Sequence, residues 1–172
     1  YLQGLELLGR WRGADADAAL ARFARARELD PRFAAAYVGE VRARRLSALL
    51  RGENPPPRTP ELVALAERAL ALDPQLGAAH VLRGAMSDDP VAAEAALRRG
   101  IDLSPSDADA HLALGDLLSR QPGRVDEALA ALDRAVALDP LHARARYLRA
   151  LVRHVNGGGV AEFEEELRKV LE

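Results

Sequence analysis

Proline divides this chain at a nearly regular interval. Pro31, Pro74, Pro105 and Pro140 each follow a run of helical periodicity that ends in Leu-Asp or Leu-Ser. Proline lacks a backbone N–H and disfavours helix in the residue before it, so each of these prolines marks the end of a helix. The separations are roughly 31 to 43 residues, an interval that indicates a repeat architecture rather than one irregular domain.

Each interval contains two amphipathic segments. The clearest pair is ADAHLALGDLLSR, residues 108–120, and VDEALAALDRAVAL, residues 125–138, with Gln-Pro-Gly-Arg between them. Thr59-Pro60 and Asp89-Pro90 predict helix starts, because a capping side chain stands before a proline at the first helical position. The sequence is 49% hydrophobic but only 4% aromatic, and its many Ala and Leu residues favour helices over strands. An all-α fold follows.

The helix pairs resemble the tetratricopeptide repeat, in which small and large apolar residues recur at fixed positions. The resemblance implies an α-α superhelix of about five helix-turn-helix repeats in one domain, 1–172, with the first repeat truncated and the last degenerate. The second repeat departs from the pattern, because Glu40-Val41 stands where Leu-Gly is expected. In the fourth unit the matching residues are His111, Leu114, Gly115, Leu118, Ala128, Leu132, Ala135 and Pro140. The expected repeats are 1–33, 34–76, 77–107, 108–142 and 143–172.

A finer resemblance concerns the opening YLQGLELL and the stretch LVALAERALALDPQLGAAHVLRG. Both are similar to tetratricopeptide regions that accompany regulatory modules in bacterial signalling proteins. The resemblance implies a protein-contact or sensory arm of a larger bacterial protein. Almost every basic residue is Arg, which is typical of a GC-rich bacterial genome.

Composition excludes several classes of function. A net charge of −2 offers no basic surface for nucleic acid. The chain has no apolar run near the roughly 20 residues of a membrane span, so we expect no membrane contact by this segment. With no cysteine, the sequence does not decide between cytoplasm and periplasm.

No motif predicts catalysis, a cofactor or a metal. His80 and His111 occupy the same position in successive units, where a packing role is expected. Gly157-Gly158-Gly159 lacks the Lys-Ser/Thr of a phosphate loop and is interpreted as a flexible connector. The chain is therefore expected not to be an enzyme.

The first helices of tetratricopeptide units line a concave groove, and the residues that packing does not use could bind a partner. One helical face of each unit predicts a groove that is apolar with an Arg rim, suited to a peptide or an amphipathic helix. Self-association into a homodimer or spacing array is the alternative, and a small-ligand sensory domain is the second alternative. The predicted partner-binding groove consists of Leu5, Val38, Arg42, Val81, Leu82, Leu112, Asp116, Arg120, Arg144, Tyr147, Leu148 and Leu151.

Overall fold

The computed structural model describes residues 1–8, 13–53 and 58–171, with side chains as far as residue 168. This part of the chain contains helices and no strand, which confirms the predicted all-α class. None of its helices is both long and apolar enough to cross a bilayer. The helices are α1 Leu2–Leu8, α2 Gly13–Leu29, α3 Ala34–Leu50, α4 Pro60–Leu72, α5 Gly77–Ala85, α6 Pro90–Leu103, α7 Ala108–Ser119, α8 Val125–Leu138, α9 Ala143–Val155 and α10 Val160–Leu171.

The Leu-Asp-Pro motif ends helices through the aspartate as well as the proline. In each copy the Asp side chain accepts a hydrogen bond from the backbone N–H two residues later, across the proline, which forms a turn that competes with helix. The carbonyl of the same Asp accepts from the N–H three residues on. The side-chain bonds are Arg32 to Asp30 at 2.9 Å, Gln75 to Asp73 at 2.9 Å, and Leu141 to Asp139 at 3.0 Å.

Helix starts follow the predicted signals. The Thr59 hydroxyl accepts from the Leu62 N–H at 3.3 Å, and Asp89 accepts from the Val91 N–H at 3.0 Å. A proline stands at the start of α4 and of α6. Both predicted capping sites are therefore confirmed.

Gly157-Gly158-Gly159 differs from the flexible connector that the sequence suggested. Gly157 has φ +102, and the Gly158 N–H donates to the Arg153 carbonyl at 2.9 Å. A positive φ after the last helical turn is a common way to end a helix, and glycine adopts it without strain. The segment is thus a hydrogen-bonded cap on α9.

Small residues let paired helices approach closely. A Cβ at Gly115 of α7 would lie 2.6 Å from Cγ of Leu132 in α8, and Leu132 is completely buried. In α1, a Cβ at Gly4 would lie 2.8 Å from the ring of Phe23 in α2, and one at Gly39 of α3 would also overlap that ring. The expectation that Gly115 lies at a helix crossing is confirmed.

The described chain forms two compact units, Tyr1–Met86 and Ser87–Glu172. The first has a core around Val41, Leu62 and Ala69, and the second a core around Leu112 and Leu132. The boundary falls between α5 and α6, inside the third expected repeat. The repeat limits and the single domain stay predictions.

Glu40, at which the second repeat departs from the pattern, is a buried carboxylate paired with two arginines. Its side chain is 1% exposed, and its carboxylate meets Arg44 at 2.8 Å and Arg27 at 3.3 Å. A buried charge is tolerated only when it is paired. Two guanidinium groups therefore accompany the carboxylate that replaces the usual Leu.

Candidate functional site

In each of α3, α5 and α7, one side chain forms a hydrogen bond with the carbonyl of the proline that precedes the helix. The residue lies six positions after that proline, and its phenol hydroxyl or imidazole N–H donates to the proline carbonyl. That carbonyl lies beyond the end of the preceding helix, so it has no partner within that helix. His80 and His111 are half-buried and bond the turn before their own helix, and the packing role expected of them stays a prediction. The bonds are Tyr37 to Pro31 at 2.9 Å, His80 to Pro74 at 2.9 Å, and His111 to Pro105 at 3.1 Å.

Four of the predicted groove residues are buried. Val38, Val81, Leu82 and Leu112 are 5%, 7%, 6% and 4% exposed. The prediction that packing leaves them free is wrong, because a first helix packs against a neighbouring pair as well as against its own second helix. Leu112 shows the reason: its core also includes residues of α9, the first helix of the next pair.

Three charged residues of the predicted groove meet on the second unit. The Asp116 carboxylate of α7 accepts from Arg120 at 2.8 Å, and the Arg144 guanidinium of α9 lies 3.6 Å from the same carboxylate. Asp116 is 23% exposed, whereas Arg120 and Arg144 are 61% and 38% exposed. Two guanidinium groups share one carboxylate here, so this surface has a local excess of positive charge.

The other groove residues of α9 lie one and two turns beyond Arg144. Tyr147 is 43% exposed, Leu148 packs partly against the core, and Leu151 is half-buried. We call Asp116, Arg120, Arg144 and Tyr147 together the α7–α9 face.

Two predicted groove residues remain accessible in the first unit. Leu5 is 36% exposed, and Arg42 is half-buried. For all twelve groove residues, binding of a partner stays a prediction.

A histidine–carboxylate pair also joins α7 to α9. His142 Nε2 lies 3.0 Å from the Asp109 carboxylate, while His142 Nδ1 accepts from the Ala145 N–H at 3.4 Å and caps α9. The hydrogen bond to Asp109 raises the pKa of His142 above its ordinary value. Sequence reasoning missed this pair, although its spacing of 33 residues, close to one repeat, was a usable signal.

A second group of charges connects α6 and α8. Arg124 contacts Glu94 at 3.0 Å and also Glu127, and Arg98 contacts Glu94 at 2.8 Å. The Arg124 hydrogen bond lowers the pKa of Glu94 to about 2. Each charge already has a partner within the unit, so this cluster joins helices.

Within residues 1–8, 13–53 and 58–171, no three His, Asp or Glu side chains converge in a way that could hold a metal ion. The family model for the tetratricopeptide repeat matches residues 84–152. These residues contain α7, α8 and most of α9, and so the whole α7–α9 face. A comparison with curated protein sequences finds no match.

Solved structures extend the likeness over the chain. A thermophilic tetratricopeptide protein of Thermus thermophilus is 21% identical, with 98% of this chain and 86% of that one covered and a TM-score of 0.71. MamA is 22% identical, with 92% and 88% covered and a TM-score of 0.56. YrrB, a tetratricopeptide protein with an unusual peptide-binding site, is 25% identical, with 92% and 77% covered and a TM-score of 0.53. The chain thus has the tetratricopeptide-repeat fold, which typically serves protein interaction.

Proposed function

We propose that this chain is a non-enzymatic interaction module that binds a peptide segment on the α7–α9 face. The observation that carries the proposal is the exposed pairing of Arg144 with Asp116, beside Tyr147 and Arg120. None of these four side chains is needed to fill the core, so they are available to a partner.

The charges and the aromatic ring of the α7–α9 face indicate which kind of peptide segment would bind there. Arg120 and Arg144 compete for one carboxylate, and a second carboxylate from a peptide would give each guanidinium its own partner. Tyr147 offers a large, partly apolar surface at a low cost in conformational entropy, as binding sites often do. The expected ligand is a segment with an Asp or Glu next to an apolar residue.

The peptide-binding site of YrrB supports this use of the fold. The sequence resemblance to regions of bacterial regulatory proteins supports placing the module in a larger bacterial signalling protein. YrrB is similar in fold and the bacterial regulatory regions are similar in sequence, whereas the choice of an acidic segment rests on the charges of the α7–α9 face.

A random-peptide display selection tests the proposal. The selected sequences should share an acidic residue next to an apolar one. A selected peptide should bind Arg144→Ala and Tyr147→Ala at least about tenfold more weakly than the wild type, since such anchors contribute about 1 kcal/mol or more. Arg134→Ala, on the exposed side of α8, is the matched control and should bind normally.

Two results would overturn the proposal. One is a selection that returns no peptide common to independent rounds. The other is a peptide whose affinity falls equally in Arg134→Ala and Arg144→Ala. Sedimentation of the wild type alone is run in parallel, because a homodimer that covers the face would also prevent peptide binding.

A further inference from the structure

An Asn-Gly pair, Asn156 and Gly157, stands at the end of α9. The chain has one other asparagine, Asn54, and that residue is followed by Pro55. An asparagine loses its side-chain amide when the backbone nitrogen of the next residue attacks it, which needs an N–H on that residue and little steric hindrance. Glycine has no side chain to hinder the attack, whereas proline has no N–H. Asn156 is therefore the asparagine at which this reaction is possible.

The structure leaves this pair open to water. Asn156 and Gly157 are exposed, and Val155 before them is 72% exposed. Apart from its chain neighbours, no described atom lies within 4 Å of the position that a Cβ of Gly157 would occupy. Water and hydroxide therefore reach the backbone N–H of Gly157 whenever its hydrogen bond opens.

Hydrogen bonds hold both reacting groups while the end of α9 is closed. The Asn156 side-chain Nδ2 donates to the Val152 carbonyl at 2.7 Å, and the Gly157 N–H donates to the His154 carbonyl at 3.2 Å. Both bonds belong to the last turn of the helix, and terminal turns open at a small cost in free energy. An attack by the Gly157 nitrogen on the Asn156 side chain thus needs this turn to open, but not the whole chain to unfold.

We propose that Asn156 is a site of spontaneous deamidation, and that its conversion loosens the cap between α9 and α10. The deprotonated backbone nitrogen of Gly157 bonds to Cγ of Asn156 and the Cγ–Nδ2 bond breaks. Nδ2 leaves as ammonia, taking up a proton equivalent to the one that Gly157 lost. Water then opens the five-membered imide, adding its hydroxyl to a carbonyl carbon and a proton to the nitrogen. Opening at Cγ gives aspartate, and opening at the backbone carbonyl gives isoaspartate.

Both products weaken the end of α9. Neither has the Nδ2 donor, so the Val152 carbonyl loses its bond of 2.7 Å. The new negative charge lies at the C-terminus of a helix, where the helix dipole disfavours it. In isoaspartate the main chain runs through Cβ and Cγ and is one bond longer. This extra bond comes just before Gly158, whose N–H caps α9 on the Arg153 carbonyl at 2.9 Å.

Ageing of the intact chain at neutral pH, followed by peptide mapping with mass spectrometry, tests the chemistry. The mass increase of an amide-to-acid conversion should appear in the peptide that contains Asn156 and not in the one that contains Asn54. The rate should rise with pH, because the attacking nitrogen must lose its proton. It should be roughly tenfold faster in guanidinium chloride than in buffer, since opening the turn breaks one or two hydrogen bonds. Asn156→Gln would have to close a larger ring and should stay unconverted.

Amide hydrogen exchange of two aspartate variants tests the consequence. Asn156→Asp carries the charge of the product and should lower the protection of the Gly158 N–H roughly fivefold, the effect of one hydrogen bond. Asn54→Asp makes the same chemical change at the other asparagine and should leave that protection unaltered. Circular dichroism should give the same helix content for both variants, so that a local loss of protection is not a general unfolding.

Conversion of Asn156 in the folded chain, together with the loss of Gly158 protection in Asn156→Asp, is the expected result. Two outcomes would overturn the deamidation site. One is an unconverted folded chain after a period in which the chain in guanidinium chloride converts completely, and the other is equal conversion of Asn54. Equal Gly158 protection in Asn156→Asp and Asn54→Asp would overturn the loosening of the cap.

Discussion

Gly115→Ala tests the close approach of α7 and α8. The new Cβ would lie 2.6 Å from Cγ and 2.8 Å from Cδ2 of Leu132, and 3.2 Å from the Ala128 carbonyl oxygen. Carbon atoms in contact are normally about 3.5–4.0 Å apart, so the helices or the Leu132 side chain must move by about 1 Å. Leu132 is completely buried, so it has no open space into which to move.

Two terms of opposite sign set the size of the effect. Replacing Gly by Ala inside a helix favours folding by about 1 kcal/mol, whereas overpacking a filled core costs about 1–3 kcal/mol. The variant should therefore lose about 1 kcal/mol of unfolding free energy. Gly13→Ala is the control, because no described atom lies within 4 Å of a Cβ at that helical position and no loss is expected.

A second variant tests whether the contact with Leu132 is the reason that glycine is required at position 115. Leu132→Ala removes the atoms that the new Cβ would overlap, so adding Gly115→Ala in that background should stabilise the protein by up to about 1 kcal/mol. Urea unfolding followed by circular dichroism gives both changes as shifts of the midpoint at constant slope. If Gly115→Ala has the same effect in both backgrounds, the contact with Leu132 is not what requires glycine.

Three further predictions concern the turns and the charges. Asp139→Ala removes the side-chain acceptor of the turn after α8 and should lower the unfolding free energy by about 1 kcal/mol; an unchanged urea midpoint would contradict that role. Glu40→Leu removes the carboxylate that two arginines share, each about one-third exposed, and should cost about 2 kcal/mol, less than breaking a fully buried pair; a more stable variant would refute this. The folded pKa of His142 is raised, so its stabilising contribution is complete below its unfolded pKa, about 6.5, and is lost as pH rises through the folded value. Asp109→Asn should remove most of that pH dependence and lower the His142 pKa seen by NMR titration, and an unaltered titration would show that Asp109 is not the cause.

The fold could be predicted from the sequence because its signals are local. Pro140 and the aspartate before it end a helix by backbone chemistry, and Gly115 stands out among larger residues at a repeated position. Each signal needs only the neighbouring residues or one repeat spacing to be interpreted.

The candidate site could be predicted only in part, because burial depends on more than one neighbour. Helical periodicity puts Leu112 and Asp116 on one face of α7, but it does not show that part of this face also packs: the core around Leu112 includes Leu132 of α8 and Ala145 of α9. Contact with the next pair then buries Leu112 but leaves Asp116 accessible to Arg144.

A charge exchange between the module and its peptide tests the central claim most directly. Arg144→Glu should abolish binding of a selected peptide, and replacing the acidic residue of that peptide by Lys should restore binding to Arg144→Glu while weakening binding to the wild type. Calorimetry on the four combinations measures the coupling free energy, expected to be at least about 1 kcal/mol for a direct ion pair. If the Lys peptide binds Arg144→Glu no better than it binds the wild type, the α7–α9 face does not recognise the acidic residue and the proposed function is wrong.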